Sequence, residues 1–350
     1  MSGPTRDLCG PWAHPLLGSL QSRVVMSAMT RGFAGPRHTA TAAMAAYYRR
    51  RAEHGVGLIL TEGTIVHHSG DGYRDVPHIE TAEQTESWRP VVDAVHAAGA
   101  KIACQLWHCG RISHPDFLGG ASPVSSTSRP ADGINRQNGN PFGTPRRLDV
   151  IEMPSIGDHF RRAAANALAA GFDAVEVHLG HGYLADQFLD ARVNDRTDAY
   201  GGSVENRCRF PLELTAAVLA ECGSSRVVAR ISPARDMNGP YDWPDLADML
   251  AHFIPALADR GLRMLDVSCA RADYHATSGR VIRQIRPLWP HLLMGGASLS
   301  QDEAQSELDA GLLEQVTYAR FLLANPDMVR RFRAGEPLVP FDAGMVEELH

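Results

Sequence analysis

Short apolar runs recur along the chain with longer amphipathic stretches between them, the alternation expected when parallel strands are joined by crossover helices. Strands are expected at Arg23–Met26, Leu58–Thr61, Lys101–Gln105, Ala174–His178, Val227–Ile231, Met264–Val267, Leu292–Met294 and Gln315–Thr317. Helices are expected between and after them, at Thr41–Ala52, Thr85–Ala98, Ser155–Ala170, Phe210–Cys222, Trp243–Arg260, Arg280–Leu288, Gln301–Ala310 and Pro326–Arg333. Ala98-Gly99, Ala170-Gly171, Arg260-Gly261 and Ala310-Gly311 each put glycine just past the last periodic residue, where a left-handed residue closes a helix. Eight such units in succession predict an α/β fold: one (β/α)8 TIM barrel spanning residues 1–350 as a single domain. An open, doubly wound sheet is the alternative.

Residues 119–148 are rich in Ser, Pro, Gly and Asn and show no helical period. They read as a long loop after the third strand, on the face where barrels of this kind build their sites, and so as a lid or wall there.

Composition narrows the class. Of 350 residues, 44% are hydrophobic and 21% charged, and no apolar run reaches the length of a membrane span. With no basic leader before an apolar stretch, the cytoplasm is the expected compartment. The net charge of −6, with basic residues interleaved among acids, argues against a nucleic-acid partner. Six cysteines are scattered without the two-residue spacing of zinc, redox or iron–sulfur sites, so they read as reduced thiols. A monomer or homodimer is expected.

The densest chemistry lies at the end of the fourth strand, in Val175-Glu176-Val177-His178-Leu179-Gly180-His181-Gly182-Tyr183. His178 and His181 offer two directed N–H groups, and Tyr183 an O–H that can bond or transfer a proton, which suits a carbonyl or nitro group. Two other readings stand beside this one. Each residue alone could be a satisfied buried polar group, or the histidines could join His67, His68, His108 and Asp266 in a metal site.

Basic residues also fall at strand ends. Arg230 lies inside an apolar run, where an unpaired guanidinium is costly, so an internal carboxylate or an anionic ligand should face it. Gly295-Gly296 closes strand seven and Arg320 follows strand eight, the two loops from which barrels commonly build a phosphate site. Gln105, at the end of strand three, presents an amide suited to a ring imide, and Thr30 a hydroxyl after strand one.

Several segments together resemble the old yellow enzyme family. They are Ser22 to Arg31, Leu58 to Thr64, Gln105 to Arg111, His178 to Leu189, and the long run Asn194 to Arg207 ending Tyr200-Gly201-Gly202-Ser203-Val204-Glu205-Asn206-Arg207. The resemblance implies FMN across the barrel mouth. Ala28, Met29 and Thr30 would contact the flavin, and Gly63 and Gln105 its pyrimidine edge. Arg230 would face the flavin N1 and O2, while Gly295, Gly296, Ala319 and Arg320 would form the phosphate end. It also implies an ene-reductase: NADH or NADPH, as a diffusible donor, reduces the flavin, and an α,β-unsaturated carbonyl or nitro compound then takes hydride. His178 and His181 would hold the substrate oxygen, Tyr183 would protonate carbon, and Tyr73 and Trp107 would line the substrate space. An oxidising, desaturating or isomerising enzyme of the same fold, with O₂ reclaiming the flavin, is the alternative, and a barrel that binds flavin without turnover is a more distant one. The chain departs from the family at Ala28, where proline is usual, at Leu179, where a small residue is usual, and at Ala319, where glycine is usual. Met345 and Val346 stand where an aromatic residue usually walls the pocket.

Overall fold

The protein is described here by a computed structural model covering residues 6–236, 239–269 and 273–350. Eight parallel strands close into one barrel in chain order. They are β1 (Val24–Met26), β2 (Leu58–Ile65), β3 (Lys101–Trp107), β4 (Ala174–His178), β5 (Val227–Ile231), β6 (Met264–Val267), β7 (Leu292–Gly296) and β8 (Gln315–Tyr318). Closure rules out the open-sheet alternative. The register sets Gln105 beside Glu176, His178 beside Arg230, Arg230 beside Asp266, and Gly296 beside Thr317.

Strand side chains alternate between the barrel interior and the helix layer. Val25, Leu58, Leu60, Ala103, Ala174, Val228, Met264, Leu292 and Met294 fill the lower interior, closed by Trp12, Leu16 and Leu17 of an N-terminal hairpin. The residues between them, such as Ile59, Ile102, Cys104, Val175 and Val177, pack outward against the helices. Two steps up the same interior rows stand Gln105, Glu176, His178, Arg230 and Asp266. One alternating pattern therefore supplies both an apolar plug below and a polar site above.

The surrounding helices are α1 (Ala42–Glu53), α2 (Ala82–Ala97), α3 (Met153–Ala170), α4 (Val204–Cys222), α5 (Leu246–Asp259), α6 (Ser278–Ile285), α7 (Gln301–Asp309) and α8 (Met328–Ala334). Some of their starts carry side-chain caps: Thr41 accepts from Met44 N, and Thr81 with Gln84 and Ser300 with Glu303 form capping boxes. Gly171, at φ 101°, ends α3 in the left-handed conformation expected of it, and Gly99, Gly261 and Gly311 likewise have positive φ. Several boundaries differ from the sequence expectation: β2 continues to Ile65, and α2 begins at Ala82. Helix α4 begins six residues before Phe210, because Ser203 caps it and Pro211 is accommodated inside it. Residues 286–288 form a separate 3₁₀ turn after α6.

The structure joins none of the six cysteines in a disulfide. No helix among the described residues is long and apolar enough to cross a membrane.

The loop spanning residues 119–148 is a second layer rather than a lid, since none of it lines the central cavity. Val124–Ser125 pairs with Arg146–Arg147 within it, and Ile134 bridges to Pro141. Instead it braces neighbours: Asn135 Nδ2 donates to Gly72 O at 3.2 Å and Ser125 Oγ to Gln187 Oε1 at 2.9 Å.

Candidate active site

A cavity of about 520 Å³ opens at the C-terminal ends of the strands, within the usual ~300–1,000 Å³ for small-molecule sites. It collects residues far apart in sequence, from Ala28, Met29 and Thr30 through Gln105, Trp107, His178, His181, Tyr183 and Arg230 to Gly296, Ala319 and Arg320.

On its floor Arg230 stands between two fully buried carboxyl groups, 3.9 Å from Glu176 and 3.4 Å from Asp266. Arg230 Nη2 also donates to Ser268 Oγ at 2.8 Å. The sequence left open whether an internal carboxylate or a ligand faces this cation, and two carboxyls do. Burial pushes the pKa of both Glu176 and Asp266 upward, against the opposing pull of Arg230. Gln105 Nε2 donates to Glu176 Oε2 at 2.6 Å, so its donor end is occupied from below.

At the end of β4 the chain turns through His181 (φ 57°) and Gly182 (φ 78°). Histidine in this left-handed region is uncommon and carries local strain, sustained by its surroundings. His181 N donates to Ser232 Oγ at 2.6 Å, and Gly182 N donates to Asp186 Oδ2 at 2.7 Å. Asp186 is itself fixed by Arg235 at 2.7 Å and Trp243 Nε1 at 3.0 Å. The turn brings His181 Nδ1 to 3.4 Å from His178 Nε2. Burial first, and then the cation of Arg230, push both imidazole pKa values well below the ordinary range, so both rings are neutral near pH 7.

Tyr183 lies beside them, its ring centroid 5.4 Å from that of His178 and 4.8 Å from Trp107 in an edge-on contact. Its hydroxyl is 2.8 Å from that of Tyr73. Burial raises both phenol pKa values, Tyr73 to about 12. Both hydroxyls therefore keep their protons at neutral pH.

Three expected site residues stand outside the lining. Tyr73 reaches the cavity only through Tyr183. Gly63 lies behind Trp107, where a Cβ would come within 2.4 Å of the indole. Gly295 faces the helix layer, its Cβ position 2.6 Å from Ile282. Gly296 does line the cavity, and a Cβ there would meet Thr317 O at 2.2 Å, so this approach of strands admits only glycine.

Two departures change meaning in three dimensions. Leu179 points into the layer between barrel and helices, fully buried, and does not touch the cavity. Phe341, Ala343 and Val346 line the cavity from the C-terminal segment, so an aromatic wall is present at Phe341, with the Arg320 guanidinium 5.3 Å from its ring. Leu179→Val, which removes one buried methylene, should lower stability by about 1 kcal/mol and leave substrate preference unchanged, as thermal melts and kinetics would show. A change in preference would contradict this placement.

The alternative metal assembly around His178 and His181 is not brought together among the described residues. Among the described residues the groups of three potential ligands are His38, Asp71 and His78, and His67, His68 and Glu80; neither includes His178 or His181. Sequence reading passed over Glu176, Asp186, Ser232, Arg235 and Ser268. The alternation that marks His178 also marks Glu176, and that of Arg230 and Asp266 continues to Ser232 and Ser268.

A closed parallel barrel with a cation, an imidazole pair and a phenol at its mouth matches the flavin-dependent oxidoreductases. Residues 17–338 match the model of the NADH:flavin oxidoreductase / NADH oxidase family. The chain is 39% identical to 12-oxophytodienoate reductase 7 of Oryza sativa subsp. japonica, over 93% of this chain and 87% of the relative. Its fold matches the old yellow enzyme homologue from Zymomonas mobilis with a TM-score of 0.90 and 32% identity, covering 97% and 96% of the two chains. Morphinone reductase matches with a TM-score of 0.89 and 35% identity, covering 99% and 94%. The chain belongs to the old yellow enzyme family and is a flavin-dependent oxidoreductase.

Proposed function

We propose that this protein is an FMN-dependent ene-reductase that uses NADH or NADPH to reduce the activated C=C of a small unsaturated carbonyl or nitro compound. The observation that carries this reading is the imidazole pair: two neutral rings with facing nitrogens 3.4 Å apart, beside a protonated phenol.

The residues present fit a flavin. Arg230 puts a cation on the cavity floor, and Gly296, where a Cβ would meet Thr317 O at 2.2 Å, gives close access to backbone beside Ala319 and Arg320. Ala28, Met29, Thr30, Gln105 and Arg230 would hold the ring system, with Gly296, Ala319 and Arg320 at the phosphate end. Bound FMN would supply the two-electron carrier that links oxidation of the nicotinamide to reduction of the alkene.

The chain's own residues would do the rest. With protons on their facing nitrogens, His178 and His181 cannot satisfy each other, and one substrate oxygen accepts from both. Those bonds strengthen as negative charge builds on that oxygen, which lowers the barrier rather than merely holding substrate. Tyr183 then gives its proton to carbon, while Tyr73 donates to the Tyr183 oxygen and steadies the charge left there.

Carbonyl holding is tested with a phenol, whose oxygen should occupy the same position in the oxidised enzyme. Spectral titration of His181→Ala should give a dissociation constant about tenfold or more above the parent, as expected for loss of a hydrogen bond to a charged acceptor. Equal affinity would remove His181 from this role.

A further inference from the structure

Outside the active site, at the far end of β2, a second group of titratable side chains converges. His67 Nε2 lies 3.4 Å from Glu80 Oε1, and His68 Nδ1 lies 3.1 Å from the same oxygen. The three ligand atoms lie within 4.8 Å of one another. The other carboxylate oxygen, Oε2, accepts from His68 N at 2.7 Å, which fixes the orientation of Glu80.

These separations have a chemical meaning. A tetrahedral zinc ion with ligands about 2.0–2.1 Å away sets its donor atoms about 3.3 Å apart along each edge. Two edges of such a tetrahedron are already drawn here. His67 Nδ1 accepts from Ser69 N at 3.2 Å and lies 2.8 Å from Ser69 Oγ, contacts that fix the orientation of the ring. His159 stacks on His67 with ring centroids 3.7 Å apart, and its Nδ1 is buried without a hydrogen-bond partner among the described residues.

The His68 side chain is 73% exposed, so an ion can enter from solvent without opening the fold.

We infer that His67, His68 and Glu80 form a binding site for a divalent transition-metal ion of the zinc class, with solvent completing the coordination. The nitrogen donors favour such an ion over calcium or magnesium, which prefer all-oxygen sites. The site is independent of the flavin reading. Its ligands come from the two ends of the segment that carries Tyr73, so a bound ion would tie those ends together.

The test is calorimetric titration of zinc chloride into the full-length, tag-free, flavin-loaded protein after treatment with a chelator. One zinc per chain is expected, with His68→Ala and Glu80→Gln each weakening binding at least about tenfold, since even supporting residues of metal sites contribute that much. His68 is on the surface and Glu80→Gln keeps an acceptor for His68 N, so neither change threatens folding. Absence of zinc binding, or binding that survives both substitutions unchanged, would overturn the inference.

Discussion

Tyr183→Phe should slow alkene reduction by about 10²–10⁴-fold while leaving reduction of the flavin by NAD(P)H close to the parent rate. The size follows from the usual contribution of a positioned general acid. The separation follows from position: Tyr183 lines the cavity beside the imidazole pair, whereas hydride uptake from the donor needs no proton from it. Its pKa is raised by burial, so the parent enzyme holds this proton throughout the neutral range. Stopped-flow measurement of the two half-reactions distinguishes them, and an equal loss in both would reject the proton-donor role. Tyr73→Phe removes only the 2.8 Å partner of Tyr183 and should have a smaller effect in the same half-reaction.

Arg230→Met should destabilise the protein by about 3–5 kcal/mol, the range expected when one member of a buried ion pair is removed. Glu176 and Asp266 would remain with no cation to offset their burial. The pH dependence has a definite sign. Both carboxyls already have raised pKa values in the folded protein, and losing Arg230 raises them further. A group with a raised folded pKa favours folding below its unfolded pKa, and that stability is lost as pH rises through the folded value. The variant's deficit should therefore stay level while the carboxyls are protonated in both proteins and grow as pH rises through the parent's folded values, about 8 for Glu176, in denaturant titrations. Adding Glu176→Gln to Arg230→Met should recover part of the loss at pH 8. A deficit independent of pH would show that Arg230 acts through packing alone. Flavin content should fall as well, because Arg230 also faces the cavity.

The barrel was legible because its strands are short apolar runs that end in polar residues, and the limits of β4, β5 and β6 coincide with the expected ones. Histidine, arginine and glycine at strand ends were conspicuous for the same reason. Periodicity carried more than was first read from it. In β4, Ala174, Glu176 and His178 share the interior while Leu179 must turn outward, so alternation alone places Glu176 under the site and takes Leu179 away from it. Other features have no local signature. The Tyr73 and Tyr183 hydroxyls meet across 110 residues of sequence, and Phe341 reaches the cavity from the opposite end of the chain. The expected start of helix α4 at Phe210 falls six residues late because Pro211 disguises the continuity of its first turns. The assignment of residues 119–148 as a lid failed because composition identifies a loop but not the surface it covers.

The central claim is that His178, His181 and Tyr183 serve a flavin that reduces an activated alkene. The most direct measurement is anaerobic spectroscopy of the purified protein with FMN. The account predicts a yellow protein whose flavin absorbance bleaches with NADH or NADPH and returns on addition of a cyclic enone, with one equivalent of saturated ketone formed. A colourless protein that refuses added FMN, or a reduced flavin that no enone reoxidises, would contradict it.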